Sequence, residues 1–433
     1  MRHTRKAVSK KVNRGWKIID IKGTASERGF QHGSLLAKEL ADLVIALPFL
    51  VKHEFGVSLD TYVETCNRIA KPAFQQPCCK EWAQELAAIS EGALSKGVLM
   101  SEDILLAWNL FLSMSTFFPQ STRRERCSAF IATGEATTRG QIVMAHNTHS
   151  DFVLAPFSNI VMRVVPPEGN GHAFVMQTCP GLLCSSMDWF LSKNGMIGCE
   201  TTIAGFQPKP QFGIPYFCRI RECMQYGDSL DDYKRIMMRD NAGDYACGWL
   251  FGDIRSGEIM LLELGKHHVG CQRTKKGVFY GSNGVHDDRL REKETKDVGM
   301  YDVVTSVGAR NVRLAHLLRE EYYGRIDVGV AKRIMGDHYD VSLGREKAGY
   351  RSICKHGELE SEKTNRPAFS PYGAIDAKVV DSGLAKKMRF WGIWGSACGK
   401  RVFRAKTFTR RVRRFKKWEE WLPEFRREPW TIL

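Results

Sequence analysis

Apolar positions recur with two different periods along this chain, and the change falls at Cys127. Ahead of it, Trp16 to Ile21 reads as a short strand. The run Gly23-Thr24-Ala25-Ser26-Glu27-Arg28-Gly29-Phe30-Gln31-His32-Gly33 then leads into a helix from Ser34 whose apolar face continues to Leu47. Residues 57–118 are mostly helical by the same criterion, with Trp82, Leu86, Ile89 and Leu94 on one side. From Cys127 onward the period is two. Arg126-Cys127-Ser128-Ala129-Phe130-Ile131-Ala132-Thr133 and Gln141-Ile142-Val143-Met144-Ala145-His146-Asn147-Thr148-His149-Ser150-Asp151 flank a turn-rich insert from Gly134 to Gly140, the pattern of a β-hairpin. Further strands are expected at Ser158 to Val165, His172 to Thr178, Trp189 to Ser192, Met196 to Ile203, Cys247 to Phe251, Glu258 to Leu264 and Val278 to Ser282. Helices are expected at Tyr216 to Tyr226, at Leu230 to Met238 and from Ser306 through Leu318. Strand clusters bracketed by helices fit a layered α+β fold with a mainly antiparallel sheet pair. No period of 20 to 50 residues recurs, which excludes a solenoid or a propeller.

With 433 residues and 43% hydrophobic content the chain is globular and long enough for one large core or two ordinary ones. Its net charge of +16 favours anionic partners such as nucleic acid, anionic lipid or acidic ligands. No specific nucleic-acid motif accompanies that charge. Thirteen cysteines are scattered without a CxxC pair, so neither a zinc ribbon nor a compact disulfide framework is expected, and a reducing, cytoplasmic setting is the simplest one. Neither a secretory leader nor an apolar run near 18 residues stands out. Residues 1–15 carry Arg2, Arg5, Lys6, Lys10, Lys11 and Arg14 without an acid, either an organelle-targeting arm or a solvated basic tail.

Positive charge is densest near the C-terminus, where Lys400 to Lys417 holds ten Lys or Arg and no acid. Phe408, Val412, Phe415 and Leu422 fall at helical spacing, with Trp418 and Trp421 beside them. Such a basic amphipathic helix over residues 400–422 either lies on an anionic membrane surface or packs its stripe on the domain.

Several chemistries lose their usual support. The chain has no GxSxG elbow, since Gly395-Ser396-Ala397-Cys398-Gly399 places serine at the wrong offset. Phosphate-loop, GxGxxG, HExxH and EF-hand patterns are missing too. His146, His149 and Asp151 would need a further ligand from elsewhere to hold a metal, and no metal or cofactor is expected. What remains is the hairpin itself. A thiol at its first residue, with His146, Asn147 and Thr148 brought beside it by pairing, has the makings of a nucleophile site. A buried structural cysteine opening a strand fits the same spacing.

Taken in order, certain segments resemble the bacterial phospholipase B-like proteins and, more distantly, the penicillin acyltransferase group of cysteine N-terminal nucleophile (Ntn) hydrolases. They are Glu27 to Gly33, Cys127-Ser128-Ala129-Phe130, Ala145-His146-Asn147-Thr148, Glu200-Thr201-Thr202-Ile203, Trp249-Leu250-Phe251-Gly252-Asp253, Gly281-Ser282-Asn283, Gly308-Ala309-Arg310, His356-Gly357-Glu358-Leu359 and Pro429-Trp430-Thr431. The resemblance implies a four-layer αββα Ntn-hydrolase sandwich with two stacked, mainly antiparallel sheets. It divides the chain into a basic arm and first strand (1–22), a helical segment that is a candidate pro-segment or light chain (23–126), the core (127–399) and the basic C-terminal helix and tail (400–433).

It also implies cleavage between Arg126 and Cys127, after which the new α-amine, with a pKa of about 8, serves as base for the Cys127 thiol. Thioester chemistry on an amide or ester acyl bond, of a lipid or an N-acyl compound, would follow. His146 would line the site, with Asn147, Thr148, His149 and Thr201 toward the substrate. Arg310 resembles an arginine near the family site, although an ordinary salt bridge on a helix would account for it as well. Two positions depart from the family pattern. Relatives tend to have asparagine as an oxyanion donor where Tyr245-Ala246-Cys247-Gly248-Trp249 carries Cys247, and a thiol is a weak donor. They also tend to have tryptophan where His149 stands. An enzyme of this type and a degenerate, binding or structural relative are both compatible with that pattern.

Overall fold

The structure, a computed structural model, describes residues 10–118, 126–209, 211, 213–296, 298–360 and 370–433. Arg2, Arg5 and Lys6 of the basic arm lie outside the described residues. The chain forms two compact units, one from Met1–Thr122, Phe157–Asn194 and Lys209–Tyr245, the other from Arg123–Pro156, Gly195–Pro208 and Ala246–Leu433.

In the first unit, strand Trp16–Lys22 pairs antiparallel with Lys10–Asn13 and parallel with Ile160–Val165, and the sheet continues antiparallel through Phe174–Thr178 to Trp189–Ser192. The Glu27 to Gly33 motif lies in helix Ala25–Leu35, which starts on a capping box between Thr24 and Glu27. That helix crosses helix Lys80–Leu94 at very short range. A Cβ on Gly29 would fall 2.1 Å from the Glu85 carbonyl oxygen, one on Gly33 2.1 Å from that of Ile89, and one on Gly92 2.2 Å from that of Phe30. Between the elements, buried Arg28 and Arg221 both bond Glu85, at 2.7 and 3.0 Å. On the longer helix Trp82, Leu86 and Ile89 are buried as expected, but the stripe ends on Ala93. Leu94, one step round the helix, is 59% exposed.

The second unit is layered. Its larger sheet runs Gly277–Gly281, Cys127–Gly134, Gly140–Asp151, Tyr372–Asp381, Trp391–Trp394 and Thr431–Ile432, all antiparallel. Strands Met196–Thr202, Cys247–Asp253, Glu258–Leu264 and Val269–Thr274 form the facing sheet of this unit, again antiparallel. Strand alternation assigns the faces. Phe130, Ala132, Val143, Ala145, Ala377 and Val379 pack with Leu314, Leu317, Ile334 and Met335 of the helical layer, on helices Ser306–His316 and Val328–Met335 and the π-turn Leu317–Glu321. Ile131 and Ile142, of the opposite parity, meet Gly252 of the facing sheet. The α+β class with stacked, mainly antiparallel sheets is therefore what the chain adopts.

One irregularity matters for the site. The pairing of Gly140–Asp151 with Tyr372–Asp381 shifts register between Ala374 and Asp376, a one-residue bulge at Ile375. Strand Tyr372–Asp381 is itself absent from the sequence reading.

The expected C-terminal helix is two short ones, Ala405–Arg411 and a 3₁₀ turn Arg413–Trp418, broken at Val412. Phe408, Val412, Trp418 and Leu422 are buried while Phe415 and Trp421 are half-buried, so the fold itself takes up most of the apolar stripe. Among the described residues no helix is long and apolar enough to cross a membrane.

Because the Gly33 contact is with backbone, Gly33→Ala must push two helices apart. A loss of about 1–3 kcal/mol in unfolding free energy is expected from this overpacking, readable by denaturant titration. Gly257→Ala, where a Cβ meets nothing within 4 Å but φ is +72°, supplies the comparison for backbone strain without a clash.

Candidate active site

Cys127 is the first residue of its strand and is 1% exposed. The hairpin register sets it opposite Thr148, with Ser128 opposite Asn147 and Ala129 opposite His146. Alternation then divides the expected site residues between two faces. Cys127, His146 and Thr148 share the face turned to the second sheet, whereas Ser128, Asn147 and His149 share the face turned to the helices.

On the first face, a ring nitrogen of His146 lies within 4.8 Å of the Cys127 sulfur. His146 Nε2 sits 2.9 Å from the Glu200 carbonyl oxygen, which only accepts, so Nε2 carries the proton and Nδ1 is an acceptor. Burial, reinforced by the Lys378 charge, holds this imidazole well below its ordinary pKa and keeps it neutral. Thr148 Oγ1 donates to Asp376 Oδ1 at 2.9 Å and accepts from Lys378 Nζ at 2.8 Å, and Lys378 also bonds Asp376 at 2.7 Å. Both partners of that ion pair are fully buried. Thr201 projects from the facing sheet toward Gly281, where a Cβ would come within 2.3 Å of its hydroxyl.

The second face is structural in its contacts. Asn147 Nδ2 donates to the carbonyls of Met335 and Ile353 at 2.8 and 3.1 Å, and His149 Nε2 donates to Ile353 at 3.1 Å. His149 is also held well below its ordinary pKa, by burial first and then by Lys355 and Arg310. Its backbone N–H donates to the Arg126 carbonyl, extending the hairpin past Cys127.

Arg310 is no surface salt bridge. It is fully buried, and its Nη1 donates to the Cys127 carbonyl and to Ser128 Oγ, while Nη2 donates to Asn283 Oδ1 at 3.0 Å. The same Asn283 oxygen accepts the Cys127 N–H at 3.2 Å, and Asn283 Nδ2 donates to the Thr202 carbonyl at 2.8 Å. Asn283 adopts φ +75°, a left-handed conformation that asparagine tolerates better than most residues. The backbone N–H and C=O of Cys127, on the two peptide groups that flank its Cα, are thus both held, by two side chains that also bond each other.

Cys247 is placed differently. Gly248, Leu250 and Gly252 share the parity that meets Ile131 and Ile142, so Cys247 shares the opposite face with Trp249 and Phe251, whose rings stack at 4.9 Å. Alternation therefore points its thiol away from the Cys127 face. Asn283, Asp376 and Lys378 are the residues that sequence reasoning did not assign to the site. Asp376 and Lys378 did leave a signal, as charges two apart inside the otherwise apolar run from Ala374 to Val380.

No family model matches the chain, and neither does any curated protein. Among solved structures, a mutant and a variant of conjugated bile acid hydrolase from Clostridium perfringens are similar to it at TM-scores of 0.37 and 0.36, with 8% and 9% identity. The alignments cover 62% and 61% of this chain and 89% and 88% of theirs.

His146 and His149 are neutral when folded but bind protons near their ordinary pKa of 6.5 once exposed. The unfolded chain therefore takes up more protons below that pH. Their stabilising contribution is complete above about pH 6.5 and is lost as pH falls, by up to about 1.4 kcal/mol per pH unit per histidine. Melting temperature should drop on acidification, with a shallower slope in His149→Gln, whose amide can still donate to Ile353.

Proposed function

We propose that this chain is a cysteine hydrolase or acyltransferase of the Ntn type, acting through a Cys127 thioester on an amide or ester acyl bond of a lipid or N-acyl compound. The observation that carries this reading is the grip of Arg310 and Asn283 on the Cys127 peptide. Attack of the Cys127 thiol on the Arg126 carbonyl, an N-to-S acyl shift, followed by hydrolysis would release Arg126 as a carboxylate and Cys127 as an α-amine. Asn283 Oδ1, which accepts the Cys127 N–H at 3.2 Å, would accept an N–H of that amine and so aim its lone pair. The amine would then take the thiol proton as the sulfur attacks the substrate carbonyl and return it to the leaving amine or alcohol. Water, or an amine acceptor, would release the acyl group. His146 is the weaker base, since burial depresses its proton affinity.

A second reading has its own support. Cys127 is 1% exposed, and alternation turns Cys247 away from it, which suits a degenerate relative that binds without turnover. Intact mass and N-terminal sequencing of wild type and Cys127→Ala separate the two. A new terminus at Cys127 in wild type alone, with turnover of an N-acyl amide panel lost by at least about 1000-fold in the variant, is expected of the enzyme. An uncut chain in both, with Cys127 inert to thiol probes, would leave the binding reading.

Docking of residues 400–422 on an anionic membrane would be mainly electrostatic, because most of the apolar stripe is buried. Binding to anionic vesicles should then weaken steeply with salt, and salt-insensitive binding would argue against it.

A further inference from the structure

A second cluster of chemically capable side chains lies in the same unit. His338, Cys354, His356 and Cys398 place one ligand atom each within 4.8 Å of all the others. His338 Nε2 and His356 Nε2 are 3.1 Å apart, and His356 Nε2 is 3.4 Å from the Cys354 sulfur and 3.7 Å from that of Cys398. Tetrahedral zinc with bonds of about 2.0–2.3 Å requires ligand atoms about 3.3–3.8 Å apart, so the cluster is already near the size of a filled site. Both cysteines are thiols, not a disulfide.

Three separate chain segments converge here, each held by its own hydrogen bonds. The Cys354 N–H donates to the Asp337 carbonyl at 3.0 Å, next to His338. The His356 N–H donates to Gly349 at 2.8 Å, and Gly399 closes a turn around Cys398 by donating to Ser396 at 2.9 Å. These bonds hold the backbone of the three segments around the four side chains.

A second set of contacts supports the ligands. His356 Nδ1 lies 3.1 Å from Glu358 Oε1, the carboxylate–histidine arrangement that directs Nε2 toward a metal. Arg401 Nη2 also lies 3.0 Å from Nδ1, and the guanidinium forms an ion pair with Glu358, Nε lying 2.7 Å from Oε1. With Nε2 on a metal, Nδ1–H would donate to Glu358, leaving Arg401 to Glu358 and to the Lys355 carbonyl, which it already bonds at 3.0 Å. His338, His356 and Cys398 line a cavity of about 960 Å³ that offers a way in.

We infer that His338, Cys354, His356 and Cys398 form a structural Cys₂His₂ site for a zinc ion or a similarly soft divalent cation. Two neutral imidazoles and two thiolates neutralise the ion, the thiols releasing their two protons to solvent on binding, and four protein ligands fill a tetrahedral shell. The site departs from the expectation of no metal, which rested on the missing CxxC, HExxH and EF-hand patterns and on the incomplete set of His146, His149 and Asp151. It clips His338, the Cys354–His356 segment and the Cys398 turn together and is independent of any chemistry at Cys127.

The test uses the full chain, reduced, stripped with chelator and then loaded with zinc or cobalt. One zinc per chain by elemental analysis after gel filtration is expected. Cobalt should give the visible bands of a tetrahedral ion and a thiolate charge-transfer band that weakens in Cys398→Ser. Glu358→Gln should reduce affinity by about 10- to 100-fold. The inference is overturned if folded wild type takes up neither metal, if the cobalt spectrum is unchanged in Cys398→Ser, or if intact mass under native conditions reports a Cys354–Cys398 disulfide. Should Cys354→Ser fail to fold, Cys398→Ser and His338→Asn keep the test decisive, since Cys398 and His338 are only partly buried. Cys127→Ala should retain the metal, so failure at one site is distinguishable from failure at the other.

Discussion

A guanidinium buried against neutral oxygens is the constraint on which the candidate site depends. Arg310 reaches from its helix to the Cys127 carbonyl, to Ser128 and to Asn283, and its Nε bonds the Ser306 carbonyl one turn back at 3.1 Å. Each charge-assisted hydrogen bond is worth about 1.5–3 kcal/mol, and the set offsets the cost of taking the cation out of water. Because the guanidinium is planar and its donors are fixed in a fork, the positions of the strand end, the Asn283 turn and the helix are tied to one another. A lysine could carry the charge but not this geometry.

Much of the fold was legible because its elements are strongly periodic. Trp189–Ser192, Glu258–Leu264, Tyr216–Tyr226 and Leu230–Met238 have the expected bounds. From periodicity alone the site was legible only as far as the hairpin, and Arg310 entered only through the family resemblance. Cys127, His146 and Thr148 share a face by simple alternation, and the same count applied to Gly248 and Gly252 separates Cys247 from them. Tyr372–Asp381 escaped for a physical reason: Asp376 and Lys378 look like solvated charges, and the bulge between Ala374 and Asp376 breaks the period that would have marked a strand. Arg310 and Asn283 meet Cys127 only through long-range folding, which no local pattern encodes.

Histidines and cysteines are used here in two contrasting ways. Within the hairpin, His146 and His149 are neutral hydrogen-bond donors to carbonyls, locked by burial and by nearby cations. Around His356, two imidazoles and two thiols converge with a carboxylate behind them, an arrangement that makes sense when the lone pairs share a Lewis acid. The two environments are linked through neighbouring residues, since the Ile353 carbonyl that anchors Asn147 and His149 directly precedes Cys354.

The bulge at Ile375 gives its strand a strict count. Ala374 pairs with His149 and Asp376 with Thr148, so two residues of equal parity lie on opposite faces of the sheet. Upstream of the bulge even numbers face the helices, and downstream they face the buried polar network beside Cys127. Losing the one extra residue would exchange the environments of every side chain on one side of it, putting Asp376 and Lys378 among aliphatic residues and Ala377 and Val379 among charges. A one-residue deletion or insertion there therefore acts as a simultaneous substitution of a whole strand segment.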